Sequence, residues 1–262
     1  MLERIDEGRG DLVLLLHSGG MSSRQWRKLI AKLSPRYRVI APDFLGSGSN
    51  PPWPEGEPFT FTQDVDAVRA LLVDAGGPAH VVGHSYGGLI ALKVALAVPD
   101  HVRSLALYDP VAFGVLYGPA DEEGLADLAR AEKNPVFRDP ARGGSEAWLT
   151  AFVDYWNGDG AWRAMPEASR QSFLRVGRKV FMEVATLTDD RTPAAAYARI
   201  DVPALFLIGE HSPAAARRLS KILADALPRG SLREIAGQGH MGPILAADAV
   251  NDLIAAHLLT TA

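Results

Sequence analysis

Val81-Val82-Gly83-His84-Ser85-Tyr86-Gly87-Gly88-Leu89-Ile90-Ala91 runs from an apolar, strand-like stretch into an apolar, helix-like one through a five-residue turn. A serine at the centre of so sharp a turn takes strained backbone angles. The residues two positions to either side must then be nearly free of side chain, which Gly83 and Gly87 satisfy. Such a turn lifts the Ser85 hydroxyl above the sheet, at the amino end of a helix whose dipole favours developing negative charge. In a chain with 25 glycines the five-letter pattern alone says little. Its place between an apolar strand and an apolar helix gives it weight.

The same rhythm extends in both directions. Leu12–Leu16 reads as a strand, Ser22–Leu33 as a helix with Trp26, Leu29, Ile30 and Leu33 on one face, and Arg38–Ala41 as a second strand. Phe61–Ala75 is helical by the spacing of Val65, Val68, Leu71 and Leu72, followed by the strand His80–Val82, the helix Leu89–Val98 and the strand Val102–Tyr108. Further on come a strand at Ala204–Ile208, a helix at Ala214–Ala226, a strand at Ser231–Ile235 and a closing helix at Ala246–Leu259. Short runs that are apolar throughout, alternating with helices, predict an α/β fold with a mostly parallel sheet covered on both faces. From about Val111 to Tyr197 the rhythm stops. Helical stretches at Asp121–Glu132, Glu146–Trp156 and Glu167–Leu187 predict a helical insertion on top of the sheet. Its aromatics, Trp148, Phe152, Tyr155, Trp156 and Trp162, are expected to pack the insertion onto the main body and to roof a pocket.

Composition narrows the function classes. Of 262 residues, 47% are apolar and 22% charged, which is ordinary for a globular chain and unlike a disordered or fibrous one. The 27 Lys+Arg against 31 Asp+Glu leave a net charge of −4, so nucleic acid and anionic membrane are not expected partners. Cysteine is absent, which removes disulfides, Cys-ligated metals and a cysteine nucleophile. The heavily charged start and the lack of an apolar stretch of ~18–20 residues predict a cytoplasmic location. His80 and His84 are four apart but on a strand and a turn, so no metal site is expected there. The Gly46-Ser47-Gly48 segment lacks the third glycine or Lys-Ser/Thr of a nucleotide loop, and Asp43, Gly46 and Gly48 read as a tight turn below the pocket.

Four segments, in order, resemble the α/β-hydrolase superfamily: Leu16-His17-Ser18-Gly19-Gly20, Ala41-Pro42-Asp43-Phe44-Leu45-Gly46-Ser47-Gly48, the Gly83–Gly87 elbow, and Gly237-Gln238-Gly239-His240-Met241-Gly242-Pro243. The resemblance covers essentially the whole chain. It implies an α/β-hydrolase core over residues 1–110 and 198–262 with a helical cap over 111–197. It also implies Ser85 as nucleophile and His240 as the base that takes its proton. The remaining histidines are not expected to act: His17 reads as structural, His84 as pointing elsewhere, and His80, His101, His211 and His257 as incidental.

The usual segment for the acid, resembling Gly-Glu-x-Asp-Pro, is Gly209-Glu210-His211-Ser212-Pro213 here, with serine in the aspartate's place. Two carboxylates remain candidates. Asp109 ends a strand, whose carboxyl end faces the crevice of an open α/β sheet, and some superfamily members carry their acid there. Glu210 is the alternative, and Asp109 is preferred. The amides of Tyr86 and Gly19, with Gly20 in reserve, are the expected oxyanion donors.

The expected activity is hydrolysis of a carboxylic ester or similar acyl small molecule through an acyl-enzyme, with no metal or organic cofactor. Carbon–carbon bond hydrolases, lactonases, thioesterases and lyases use a comparable set, and a non-catalytic ligand receptor on the same fold is a reading of a different class. Neither the natural substrate nor the oligomeric state is legible.

Overall fold

Seven strands form one sheet in the order β1-β3-β2-β4-β5-β6-β7: β1 Arg4–Glu7, β2 Asp11–Leu16, β3 Tyr37–Pro42, β4 Ala79–His84, β5 Val102–Tyr108, β6 Ala204–Gly209 and β7 Gly230–Ile235. The computed structural model describes residues 2–118 and 121–261. Residues 1 and 262 of the expected core and 119 and 120 of the expected insertion lie outside the described residues. Every neighbouring pair is parallel except β1 with β3. The mostly parallel sheet is thus present, and β1 is the element that the apolar pattern missed. Its sequence, Arg-Ile-Asp-Glu, is an edge strand paired on one side only, where charge rather than apolar alternation is the rule.

The helices are α1 Arg27–Leu33, α2 Phe61–Asp74, α3 Tyr86–Ala97, α4 Glu122–Glu132, α5 Glu146–Asn157, α6 Ala161–Ala164, α7 Glu167–Asp189, α8 Ala194–Tyr197, α9 Ala214–Ala226, α10 Gly242–Leu245 and α11 Ala247–Thr260. The stretch expected as a helix from Ser22 begins as a 3-10 turn over Ser23–Trp26 before α1. Along β2 the side chains alternate between two apolar layers. Leu12, Leu14 and Leu16 pack with α2, α3 and α9, whereas Val13 and Leu15 pack with α1 and α11. Burying one such side chain stabilises by about 1.5–3 kcal/mol, so a strand apolar on both faces has a fixed register.

Between β5 and β6 the chain forms α4 to α8, and the described residues there add no strand to the sheet. Trp148, Leu149, Trp162, Val180 and Phe181 make a small apolar cluster within this segment. Phe152, Tyr155 and Trp156 instead line a cavity over Ser85, so the aromatics divide between internal packing and a roof.

Candidate active site

The elbow closes as its glycines require. Ser85 sits between β4 and α3 with φ 55° and ψ −117°, and its amide donates to the Tyr108 carbonyl at 2.9 Å. A Cβ on Gly83 would stand 2.5 Å from the Gly87 carbonyl oxygen, and one on Gly87 would stand 2.3 Å from that of Leu16. Among the described residues only Ser85 and Asp109 combine a side chain with a positive φ; that of Asp109 is 43°. Conformations of this kind cost on the order of 1–3 kcal/mol each and persist only where the surroundings enforce them. Both residues are pinned by backbone bonds into neighbouring strands, Ser85 to β5 and Asp109 to the Leu207 carbonyl of β6.

These two strained residues meet at one imidazole. His240, in the loop between β7 and α10, places Nε2 3.0 Å from Ser85 Oγ and Nδ1 3.1 Å from Asp109 Oδ2. All three are buried, Asp109 completely. A proton leaving the serine therefore has an acceptor in reach, and a carboxylate stands behind the ring to hold the resulting charge. The Trp156 ring stacks on the imidazole with centroids 3.9 Å apart and planes 22° apart.

Of the two expected acids the structure brings only Asp109 to the ring. Glu210 is exposed and accepts from the Gly237 amide at 2.7 Å. Ser212, which occupies the usual aspartate's place, is buried and donates from Oγ to Asp109 Oδ2 at 2.6 Å. Both the serine and the imidazole address Oδ2, and Oδ1 is buried with no partner among the described residues.

Two of the other histidines, His17 and His84, hold loops in place. His17 accepts from the Phe44 amide at Nε2 and donates to the Ser18 carbonyl from Nδ1, which makes it neutral; burial lowers its pKa to about 4. His84 donates to the His240 carbonyl at 2.8 Å and accepts from Gln25, whose own carbonyl oxygen accepts from the Ser18 amide. Burial pushes His84 well below the ordinary imidazole range, and the adjoining His240 adds to the shift. One neutral relay thus ties the Ser18 loop to the His240 loop. Asp43 makes the expected tight turn, accepting from the amides of Ser23 and Ser49, and its carboxylate fills the space a Cβ on Gly48 would need.

Gly19, Ser85 and Tyr86 line the floor of a largely apolar cavity of about 50 Å³, walled by Val111, Phe113, Phe152, Trp156, Val180 and Leu187. That is several times the ~10–15 Å³ one water needs. Neither the Gly19 nor the Tyr86 amide is taken by an acceptor among the described residues. The reserve position, Gly20, has φ +76° and packs under the Phe173 ring.

One cluster escaped the sequence reading. Lys179 and Glu183 of α7 and Asp64 of α2 are all buried, and Lys179 Nζ donates to Asp64 at 2.7 Å and to Glu183 Oε1. The Tyr86 hydroxyl also donates to Asp64, at 2.8 Å. Burial raises the Glu183 pKa to about 7 against the opposing pull of Lys179. Burial also disfavours the Lys179 charge, but the two carboxylates overcome it and hold the ammonium above its usual range. Among the described residues no three His, Asp or Glu side chains converge on a metal site, and no helix is long and apolar enough to cross a membrane.

Comparison with known proteins shows the family. Lipase LipV of Mycobacterium tuberculosis is 38% identical over 143 residues, which is 54% of this chain and 51% of that lipase, so the match spans about half its length. The magnesium-chelatase 30 kDa subunit of Rhodobacter capsulatus is 31% identical over 273 residues, covering 95% of this chain and 88% of the relative. A thermophilic esterase from Thermogutta terrifontis shares the fold with a TM-score of 0.74 at 24% identity, over 99% of this chain and 93% of its own. The model of the alpha/beta hydrolase family matches residues 13–253, and the chain belongs to that family of enzymes.

Proposed function

We propose that the protein is a serine hydrolase that cleaves a carboxylic ester or similar small acyl compound. Ser85 attacks the carbonyl carbon as His240 Nε2 takes its proton, and the amides of Gly19 and Tyr86 receive the developing oxyanion. Asp109, held by Ser212, keeps the imidazole in the tautomer that accepts from serine and stabilises it once charged. The leaving alcohol takes the proton from His240, and water then releases the acyl group from Ser85 by the same exchange. Residues 111–197 act as a cap, whose Phe152 and Trp156 close the acyl pocket. The observation that carries this reading is the pair of hydrogen bonds at His240, Nε2 accepting from Ser85 and Nδ1 donating to Asp109, set under a largely apolar cavity.

The test pairs a fluorophosphonate probe with p-nitrophenyl esters of rising acyl length. Labelling that disappears in Ser85→Ala, together with ester turnover, is expected. Labelling without turnover on any ester would shift the reading to a lactonase, thioesterase or carbon–carbon bond hydrolase. No labelling of Ser85 would leave a ligand receptor.

A further inference from the structure

The acyl cavity is largely apolar; of the two carboxyl side chains that line it, Glu132 is paired with Arg138, and Glu183 stands beside the expected oxyanion site. Glu183 lines the cavity together with Gly19 and Ser85 while being 1% exposed. Its Oε1 is taken by Lys179. Its Oε2 has no donor among the described residues and lies 2.8 Å from where a Cβ on Gly19 would stand. The two oxygens thus do different things: one anchors the side chain in the protein and the other is presented to whatever fills the cavity.

Charge counting points the same way. Lys179 is shared between Asp64 and Glu183, two carboxyls to one ammonium, and the three groups are at most 2% exposed. Asp64 is saturated, since it also accepts from the Tyr86 hydroxyl and the Leu45 amide. The unmet negative character therefore falls on Glu183, at its pocket-facing oxygen. Burying such an oxygen without a donor is costly, and a charged acceptor gains most from a donor where water is excluded.

We propose that Glu183 is a substrate anchor, and that the preferred acyl compound carries a hydrogen-bond donor, hydroxyl or ammonium, on the carbon next to the reacting carbonyl. This rests on Ser85 being the nucleophile and Gly19 an oxyanion donor, because it places the donor on the Gly19 side of the carbonyl. An ammonium there neutralises the Glu183 charge, and a hydroxyl disperses it by hydrogen bonding, where an oxyanion forms nearby. The apolar walls take the rest of the acyl chain.

The test uses p-nitrophenyl esters of butanoic, 2-methoxybutanoic, 2-hydroxybutanoic and 2-aminobutanoic acids. The methoxy compound keeps the electron withdrawal of an oxygen substituent but has no donor. Wild type should favour the hydroxy or amino ester over the methoxy ester by about ten- to a hundredfold in kcat/KM, the size of a hydrogen bond to a charged group. Glu183→Gln should collapse the amino-to-methoxy ratio toward one. A purely structural role for Glu183 would lower all four rates together and leave the ratios alone, which would overturn the proposal. So would a wild type that treats the methoxy ester as well as the other two, and that measurement needs no variant to fold. Cleavage of the butanoate without donor preference sinks only the anchor, whereas no cleavage of any ester and no labelling of Ser85 sinks the hydrolase reading with it.

Discussion

Replacing Asp109 by asparagine keeps nearly the same volume, and asparagine tolerates the positive φ of 43° at this position, so the fold should survive. What is lost is the charge behind the imidazole. With Nδ1 3.1 Å from Oδ2, the charge centres of an imidazolium and the carboxylate lie about 4 Å apart, and their attraction at an effective dielectric near 20 is about 4 kcal/mol. That is about a thousandfold in rate. An asparagine amide turned toward Nδ1 would also favour the tautomer with its proton on Nε2, which cannot accept from Ser85, so the expected loss in kcat is about 10³–10⁴. Ser212→Ala removes the 2.6 Å bond to the same carboxylate oxygen and should cost about tenfold with little change in KM. Glu210→Gln should leave kcat within about a factor of two, because that side chain faces solvent and holds only the Gly237 amide. The assay is initial-rate hydrolysis of p-nitrophenyl acetate, with thermal unfolding by circular dichroism to establish that each variant is folded. A folded Asp109→Asn within tenfold of wild type, or a Glu210→Gln that loses three orders of magnitude, would refute the assignment of the acid.

Other consequences are as direct. Gly87→Ala should cost about 3 kcal/mol or more, seen as a large fall in Tm or loss of folded protein, since its methyl would stand 2.3–2.6 Å from the carbonyl oxygens of Leu16 and His17. Trp156→Ala should lower stability by about 3–5 kcal/mol through the cavity it leaves over His240, measured by urea unfolding. Stability should fall on acidification from about pH 6.5 to pH 4, because burial holds His17 and His80 at about 4 in the folded state and they gain protons on unfolding. Glu183 opposes this trend: raised to about 7, it binds a proton in the folded state that the unfolded chain releases above about 4.5. Glu183→Gln should therefore steepen the rise of stability with pH between those values by one proton, about 1.4 kcal/mol per pH unit, in urea midpoints taken across that range.

The core of the fold was legible because its strands are apolar on both faces. Val13 and Leu15 on one side of β2, with Leu14 and Leu16 on the other, can be satisfied only by a sheet covered twice, and that is how they are buried. β1 was not legible for the converse reason. Its Arg4, Asp6 and Glu7 sit at a sheet edge where solvent takes what a partner strand would otherwise supply, so nothing in the four residues departs from a polar loop. The helix after the elbow shows a milder failure. Apolar residues mark it from Leu89, but it begins at Tyr86, because the strained Ser85 turn already sets the first helical residues and glycines 87 and 88 carry no periodic signal.

The site divides along the same physical line. Local backbone chemistry marks Ser85 in its glycine-flanked turn, whereas His240 and Asp109, in a glycine-rich loop and at a strand end, were picked out by the resemblance to the superfamily. Ser212 was visible only as the absence of an aspartate. That it hydrogen-bonds the acid rather than the imidazole depends on how the end of β5 meets the loop after β6, a relation across 103 residues. Lys179 and Glu183 were the least legible of all. At four-residue spacing on a helix, a lysine and a glutamate read as a solvated ion pair worth a few tenths of a kcal/mol. Here Asp64 and the rings of Phe44, Phe59 and Tyr86 close over the ammonium, and Glu183 is left lining the cavity. No local pattern distinguishes the two cases, because burial of α7 is decided by the elements it lies against. A buried carboxyl with one oxygen left over is costly to retain unless something donates to it, which is why the least readable residue on the chain says the most about what the cavity receives.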